Sequence, residues 1–150
     1  ALQVRRGGRW STVDRDRTNA RGGYAVGDRR RSTFSGPARL RVSGAGAGVG
    51  ATTRSLGRLN VYRTAYASWY GPGLYGNQLG CGGTLGAGTL GVAHKTLPCG
   101  TKVTLRKGSR SVRVPVIDRG PYVGGREYDL TAATARRIGF GGHGPLLVTR

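Results

Sequence analysis

Residues 101–121 read TKVTLRKGSRSVRVPVIDRGP, and this stretch decides the fold of the second half of the chain. Apolar and polar residues alternate on either side of Lys107-Gly108-Ser109, which predicts a β-hairpin. Pro115 cannot donate to a ladder, so the second strand is expected at a sheet edge or bulged near its end. That strand ends at Asp118, just before a tight turn. A carboxylate projected from a rigid strand end is a candidate general acid or base.

The residues around this hairpin predict further strands and one short helix. Asp129-Leu130-Thr131 offers a cap for a helix over residues 132–138, Gly139 is a stop signal, and residues 145–149 form a closing strand. The chain contains 29 glycines and 6 prolines in 150 residues, so any core must be small. The second half is therefore predicted to be all-β, a barrel or sandwich that carries a single helix.

The first half predicts short antiparallel strands. Two alternating segments flank Gly7-Gly8, which indicates a hairpin, and three more strands are expected over residues 23–26, 38–42 and 59–62. The small, glycine-rich residues 43–50 are typical of a loop. Strands at this spacing favour a small antiparallel sandwich.

The chain has 25 Lys and Arg against 6 Asp and Glu, a formal net charge of +19. Both halves share the excess, and only Arg29-Arg30-Arg31 forms a run. A nucleic-acid module gathers its basic residues into one stripe, so no specific nucleic-acid partner is predicted. The charge fits either a general surface bias or attraction to an anionic polymer, cell-wall polymers included, and binding by charge alone would weaken steeply with salt. No run approaches 18 consecutive apolar residues, so no transmembrane segment is expected.

Cys81 and Cys99 lie 18 positions apart, and each adjoins a glycine. Neither a C-x-x-C spacing nor a set of four ligands is present, so no metal site and no cofactor are predicted. A disulfide is expected, which would stabilise the domain by on the order of 3 kcal/mol in the chain-entropy model. It would also imply an oxidising compartment outside the cytosol. Two reduced, buried thiols are the alternative.

The second half contains only three acids, Asp118, Glu127 and Asp129. Glu127 is predicted to form a solvated surface pair with Arg126, and Asp129 is either a helix cap or a site residue. Taken alone, His94 is predicted to be a buried structural histidine. The chain has neither a G-x-S-x-G motif nor a phosphate-binding P-loop, so a serine hydrolase and a P-loop nucleotide enzyme are not supported. Acid/base chemistry on a neutral or polysaccharide substrate remains, with Asp118 as the leading candidate.

Five of the eleven aromatic residues fall within positions 62–75, next to Gly71-Pro72-Gly73. Carbohydrate and nucleobase sites need flat apolar faces with a polar edge, but aromatic residues also pack in protein cores. Trp69 and Tyr70 are therefore either core residues or a ligand platform.

Four segments then follow in order: ASWYGPG at 67–73, AHKTLPCGT at 93–101, IDRGPY at 117–122 and YDLT at 128–131. Over residues 66–149 they resemble the rare lipoprotein A (RlpA) family of septal lytic transglycosylases, and the two cysteines resemble those of actinobacterial members. The resemblance implies an RlpA-like domain at residues 63–150 with a six-stranded double-psi β-barrel and one short helix. It also implies an exported, monomeric protein of the cell envelope or extracellular space that acts on peptidoglycan glycan strands, with its export signal upstream.

Residues 1–62 loosely resemble bacterial immunoglobulin-like repeats, on their W-x-x-V, T-x-x-x-G-x-Y and L-R-V segments. This resemblance implies a small immunoglobulin-like β-sandwich segment, with opening strands missing upstream and an incomplete core. Such a segment would serve as a spacer or an anchor.

In the RlpA family the histidine of A-H-x-T-L-P and the aspartate of D-R-G-P are needed for activity, which correspond to His94 and Asp118. The resemblance implies that Asp118 protonates the bond between N-acetylmuramic acid and N-acetylglucosamine and later accepts the C6 proton, leaving a 1,6-anhydro end. His94 would orient Asp118. The expected substrate-binding residues are Ser68, Trp69, Tyr70, Arg119, Tyr122 and Asp129; the last matches an acid in expansins and family 45 endoglucanases.

The segment from Leu79 to Leu90 departs from the family pattern. Many relatives carry charged and aromatic residues there, whereas this chain has almost only Gly, Leu, Thr and Ala besides Cys81. The alternative function is therefore a non-catalytic, expansin-like protein that binds wall polysaccharide, and only the fate of the glycosidic bond separates the two.

Overall fold

The computed structural model describes residues 1–27, 33–44 and 50–150. The run Arg29-Arg30-Arg31 and most of the predicted loop at 43–50 lie outside the described residues. The described chain divides into two compact units, Ala1–Val61 and Tyr62–Arg150. No helix in the described ranges is long and apolar enough to cross a membrane.

The first unit is a four-stranded antiparallel sheet in the order β2-β1-β3-β4. Its small core contains Val4, Phe34 and Ala38. Gly7 and Gly8 both have positive φ, as a tight two-residue hairpin turn requires, so the predicted first hairpin is confirmed. The strands are β1 (Leu2–Arg6), β2 (Arg9–Asp14), β3 (Phe34–Val42) and β4 (Thr52–Val61).

The strand predicted at residues 23–26 is wrong, because this stretch carries no strand. Two carboxylates bind its backbone instead: Asp16 accepts from Ala25 N at 2.6 Å and Asp14 accepts from Gly27 N at 2.7 Å. Side-chain acceptors of this kind compete with a sheet ladder for backbone donors. The described residues of this unit form one sheet, and its immunoglobulin-like character stays a prediction.

The second unit is a closed six-stranded barrel in the order β10-β5-β9-β6-β8-β7, with β7 pairing back to β10. The β5–β9 and β6–β8 pairs are parallel and the others are antiparallel. This mixed closed barrel with one short helix agrees with the predicted double-psi β-barrel. Its elements are β5 (Arg63–Tyr70), β6 (Val92–Ala93), β7 (Lys102–Lys107), β8 (Arg110–Asp118), β9 (Tyr128–Thr131), α1 (Ala132–Ile138) and β10 (Gly144–Thr149).

The hairpin of β7 and β8 is confirmed, with Gly108 at positive φ in its turn. β8 has no free edge, because β6 and β7 pair on its two sides. Pro115 is tolerated there since β6 begins to pair only at Val116, and the β6–β8 ladder is irregular at that end. The alternating valines of β8 fill the barrel: Val114 and Val116 are each 1% exposed.

Helix α1 begins and ends where the sequence predicts, but Asp129, one of the candidate caps, does not cap it. Thr131 is the N-cap, and its hydroxyl accepts from Thr134 N at 3.3 Å. Gly139 ends the helix in the left-handed conformation at φ 67°. Asp129 is not the cap, because it lies inside β9. Its side chain is therefore available to the site described next.

Candidate active site

The register of four neighbouring strands brings the polar candidates into one row. Ser68 on β5 pairs with Asp129 on β9, Asp129 pairs with Ala93 on β6, and Ala93 pairs with Asp118 on β8. Residues directly opposite each other in a ladder point to the same face of a sheet. The row from Ser68 through Asp129 to Asp118, together with Tyr70 two residues beyond Ser68, is called the polar row below.

Asp118 is the last residue of β8 and lies at one end of the polar row, where backbone N–H groups donate to its carboxylate. Its Oδ1 accepts from Gly80 N at 2.7 Å and from Arg119 N at 2.8 Å. A Cβ on Gly80 would lie 3.0 Å from Asp118 Oδ1 and 2.9 Å from Arg119 Cγ, so glycine is needed for this close approach. Both backbone hydrogen bonds to the carboxylate reach Oδ1, and the hydroxyl group of Tyr70 also interacts with this carboxyl group.

Three buried polar atoms of the row lack a hydrogen-bond partner in the described structure: Ser68 Oγ, Tyr70 Oη and Asp129 Oδ1. Buried polar groups are nearly always hydrogen-bonded, so a cluster of unpaired ones needs an explanation. Two of them lie beside a carboxyl group of the row itself, since Tyr70 interacts with Asp118 and Ser68 interacts with Asp129. The polar row is therefore the best candidate for a ligand site.

Burial and neighbouring charge shift the pKa values of this row. Burial, and after it the negative charge of Asp118, raises the pKa of Tyr70 and keeps its phenol protonated. Burial also raises the pKa of Asp129; Ser68 and Arg126 oppose that shift, and Asp118 adds to it. Ser68 lies beside the Asp129 carboxyl group, but Ser68 Oγ and Asp129 Oδ1 do not form a hydrogen bond of normal geometry. The two carboxyl groups of the row thus have different surroundings, backbone amides at Asp118 and a buried position beside Ser68 at Asp129.

The imidazole of His94 turns away from the polar row. Its Nδ1 accepts from Thr96 N at 3.1 Å and Leu97 N at 3.0 Å, and Nε2 lies 3.6 Å from Glu127 Oε1. The ring packs on Tyr128 with centroids 4.9 Å apart. Burial, the largest effect, lowers the pKa of His94.

His94 reaches Asp118 through the backbone. The His94 amide donates to the Asp118 carbonyl at 3.1 Å, and no described contact joins the two side chains. The Arg119 guanidinium bridges the same segments, because Nη1 donates to His94 O at 3.1 Å and to Leu97 O at 2.8 Å. Arg119 therefore holds the turn at residues 94–97 against the strand end that carries Asp118.

The prediction that Glu127 is a solvated partner of Arg126 is wrong. Both Glu127 oxygens bond the guanidinium of Arg63, with Nη1 to Oε2 at 2.8 Å, and the same carboxylate approaches His94. Arg63 is the main cause that lowers the pKa of Glu127. Adjacency in sequence favoured Arg126, and no local pattern reveals a partner 64 positions away.

The two remaining aromatic candidates are exposed. Trp69 is 39% exposed and, by strand alternation, points to the opposite side of β5 from Ser68 and Tyr70. Tyr122 is 81% exposed in the segment after β8. The structure therefore brings Ser68, Tyr70, Asp118 and Asp129 together, and it leaves Trp69 and Tyr122 at the surface.

The expected disulfide is confirmed, with Cys81 and Cys99 joined and Cα atoms 5.6 Å apart. It links the loop that supplies the Gly80 donor to the segment after Leu97. Arg119 Nη2 also lies 2.8 Å from Cys99 Sγ. The bridge thus ties together both segments that surround Asp118. Among the described residues, no group of three or more His, Cys, Asp or Glu side chains could hold a metal ion.

Known proteins resemble the second unit in sequence. A family model described as lytic transglycolase matches residues 62–149. A probable endolytic peptidoglycan transglycosylase RlpA of Synechocystis sp. is 49% identical over 75 residues, covering 49% of this chain and 23% of the relative. The endolytic peptidoglycan transglycosylase RlpA of Campylobacter jejuni is 47% identical over 74 residues, covering 48% and 27%, and that of Neisseria meningitidis is 40% identical over 80 residues, covering 52% and 34%. The chain thus spans about a quarter to a third of the length of these relatives.

The raised pKa of Asp129 predicts that this residue destabilises the fold at neutral pH. The folded protein binds the Asp129 proton more tightly than the unfolded chain does, so stability is full below the unfolded pKa and falls as pH rises through the folded pKa. We expect Asp129→Asn to be more stable than wild type at pH 7, with the gain vanishing towards pH of about 4. Urea unfolding across this range, in high salt to screen long-range charge, measures it. A variant that is less stable at pH 7 would contradict the assignment.

Proposed function

This chain belongs to the lytic transglycolase family of RlpA type, and on that premise we propose that its barrel cleaves peptidoglycan glycan strands. The bond cleaved would be the one between N-acetylmuramic acid and N-acetylglucosamine, and the product would carry a 1,6-anhydro end. The observation that supports this best is the polar row, in which unpaired buried polar atoms adjoin a backbone-held carboxyl group at Asp118.

Asp118 would act first as acid and then as base. Its protonated carboxyl group donates to the glycosidic oxygen as the bond from that oxygen to C1 of N-acetylmuramic acid breaks. The C6 hydroxyl of the same sugar then attacks C1, and its proton passes to the Asp118 carboxylate. One bond breaks and one forms, and the proton inventory of the enzyme is restored without water. Because two backbone donors engage Oδ1, the other oxygen of Asp118 would carry this proton.

The rest of the polar row would bind and orient the sugar. Ser68 Oγ, Tyr70 Oη and Asp129 Oδ1 are unpaired and buried, so hydroxyl and acetamide groups of the glycan would complete their hydrogen bonds. Holding the reacting atoms in the right geometry is itself a large contribution to the rate. Trp69 and Tyr122, which are exposed, would contact more distant sugars of the strand.

His94 and Arg119 would orient Asp118. Both act on the backbone around it: His94 donates to the Asp118 carbonyl, and the Arg119 amide donates to the carboxylate. The Arg119 guanidinium is engaged by the carbonyl groups of His94 and Leu97, which favours a positioning role over direct contact with substrate.

A wall-binding protein without catalysis is the second candidate function. The loop from Leu79 to Leu90 contributes the Gly80 amide to the site but no charged side chain. A site with one carboxyl group at the reaction centre and few loop contacts could grip a glycan without cleaving it. The polar row would serve either function, and the fate of the bond decides between them.

We place the protein in the cell envelope or outside the cell. The Cys81–Cys99 disulfide supports a compartment that is oxidising.

The first unit would serve as a spacer or anchor. Register places Arg39 and Arg41 on one face of its sheet together with Arg58, while Leu40 and Arg54 share the opposite face. Three cations on one face suit an anionic polymer of the cell wall.

Asp118→Asn should abolish the formation of anhydro ends while leaving the fold intact. Loss of a general acid or base typically lowers a rate by about 10²–10⁴-fold. Purified glycan strands are digested with wild type and variant, and anhydro ends are counted by mass spectrometry, with circular dichroism as the check on folding. Equal product from both proteins would refute the assignment of Asp118. Binding of intact strands by wild type without any cleavage would favour the wall-binding function.

The proposed contact with a polymer is tested by varying the salt concentration and by comparing arginine variants on the two faces of the sheet. Arg41→Gln with Arg58→Gln should weaken sedimentation with isolated cell walls at low salt, and added salt should remove the difference. Arg54→Gln is the matched control, because Arg54 is exposed on the other face of the same sheet. Equal binding by all variants would contradict the contact.

A further inference from the structure

Glu127 and Arg63 form an ion pair that the proposed reaction does not use, and Glu127 also faces the imidazole of His94. Arg63 holds both oxygens of Glu127, and Glu127 Oε1 lies 3.6 Å from His94 Nε2. The three residues come from β5, the position before β9 and the turn after β6, so the pairing of these three neighbouring strands brings them together.

The hydrogen bonds of His94 assign its tautomer. Nδ1 accepts two backbone N–H groups, from Thr96 and Leu97, so it carries no proton. The single proton of the neutral ring is therefore on Nε2, the atom that faces Glu127. A negative carboxylate beside this N–H favours the same tautomer. The ring is also packed on Tyr128, which restricts its rotation.

This tautomer maintains the turn on which Asp118 depends. With Nδ1 as acceptor, the imidazole closes the turn at residues 94–97 from one side, and Arg119 binds the carbonyl groups of His94 and Leu97 from the other. Arg119 in turn donates its amide to Asp118 Oδ1. A proton on Nδ1 would break both turn bonds at once.

We propose that Glu127, held by Arg63, is a positioning residue that fixes the His94 imidazole and, through the turn at 94–97 and Arg119, the carboxyl group of Asp118. Its effect on cleavage rests on the proposed function, whereas its effect on His94 does not. Glu127 touches no atom of the polar row in the described contacts, so it contributes to the rate without contacting substrate.

Arg63 has a distinct part in this arrangement. Glu127 alone would favour the protonated imidazole, and the guanidinium of Arg63 offsets that attraction; the charged groups that face His94 are Glu127, Arg63 and Arg150, with the Tyr128 ring packed beside it. If Glu127 is replaced by an apolar residue, Arg63 becomes the nearest charge to Nε2. A cation facing an N–H donor favours moving the proton to Nδ1, which would open the turn.

The test compares Glu127→Leu, which removes the acceptor, with Glu127→Gln, which keeps an amide oxygen in its place. The imidazole nitrogen chemical shifts of the full chain report the tautomer without substrate, and His143, an exposed histidine, is the internal control. We expect Nε2–H in wild type and Glu127→Gln, and a changed tautomer in Glu127→Leu, with His143 unchanged. Arg63→Gln should raise the pKa of His94, since it leaves the carboxylate without its cation.

Glycan cleavage is measured on the same proteins. Glu127→Leu should lower kcat by about 10–100-fold, the loss typical of an outer partner that orients a functional histidine, with little change in KM. Glu127→Gln should restore most of the rate. Thermal unfolding and amide spectra establish that each variant is folded.

Unchanged His94 shifts in folded Glu127→Leu would overturn the proposal, as would a changed tautomer with an unchanged kcat. If wild type cleaved no glycan, the proposed function would fail, and the nitrogen shifts alone would then support or overturn the positioning of His94 by Glu127.

Discussion

Closure of the barrel is the constraint on which the site depends. Each of the six strands is paired on both sides. The register of β9 against β5 and β6 therefore fixes which residues of these three strands lie side by side. A slip of one residue in β9 would turn Asp129 from the polar row to the opposite face. The core residues Val92 and Leu130, both fully buried and paired with each other, oppose such a slip because it would expose them. Packing inside the barrel therefore places the polar groups outside it.

The site combines a fixed carboxyl group with unpaired neighbours, and these two features come from different parts of the chain. Backbone donors at Gly80 and Arg119 hold Asp118, and the Cys81–Cys99 bridge connects the two loops around it. Burial of the Asp129 carboxyl group beside Ser68 raises its pKa and so costs stability at neutral pH, as is common at functional sites. The positive charge of the chain is spread over both units and is not concentrated at the polar row.

Much of the fold follows from local patterns. The β7–β8 hairpin has strict alternation around Gly108, and α1 lies between Thr131 and Gly139, so the sequence predicts both. Asp118 is also predictable, since it ends an apolar strand before a turn. The pairing of Ser68 with Asp129 depends on parallel register between remote strands, and the contact of Glu127 with Arg63 joins positions 64 apart. Neither leaves a local trace, so sequence adjacency favours Arg126 as the partner of Glu127 and leaves both a helix cap and a site residue open for Asp129.

The central claim is that the polar row of Ser68, Tyr70, Asp129 and Asp118 is the glycan site. Titration of the folded Asp118→Asn protein with a short N-acetylglucosamine–N-acetylmuramic acid oligosaccharide, followed by amide nuclear magnetic resonance, tests it without turnover. The account predicts that the amide resonances of Ser68, Gly80 and Asp129 shift together and saturate at one ligand concentration. Saturable shifts elsewhere on the barrel, with these three resonances unmoved, would contradict it.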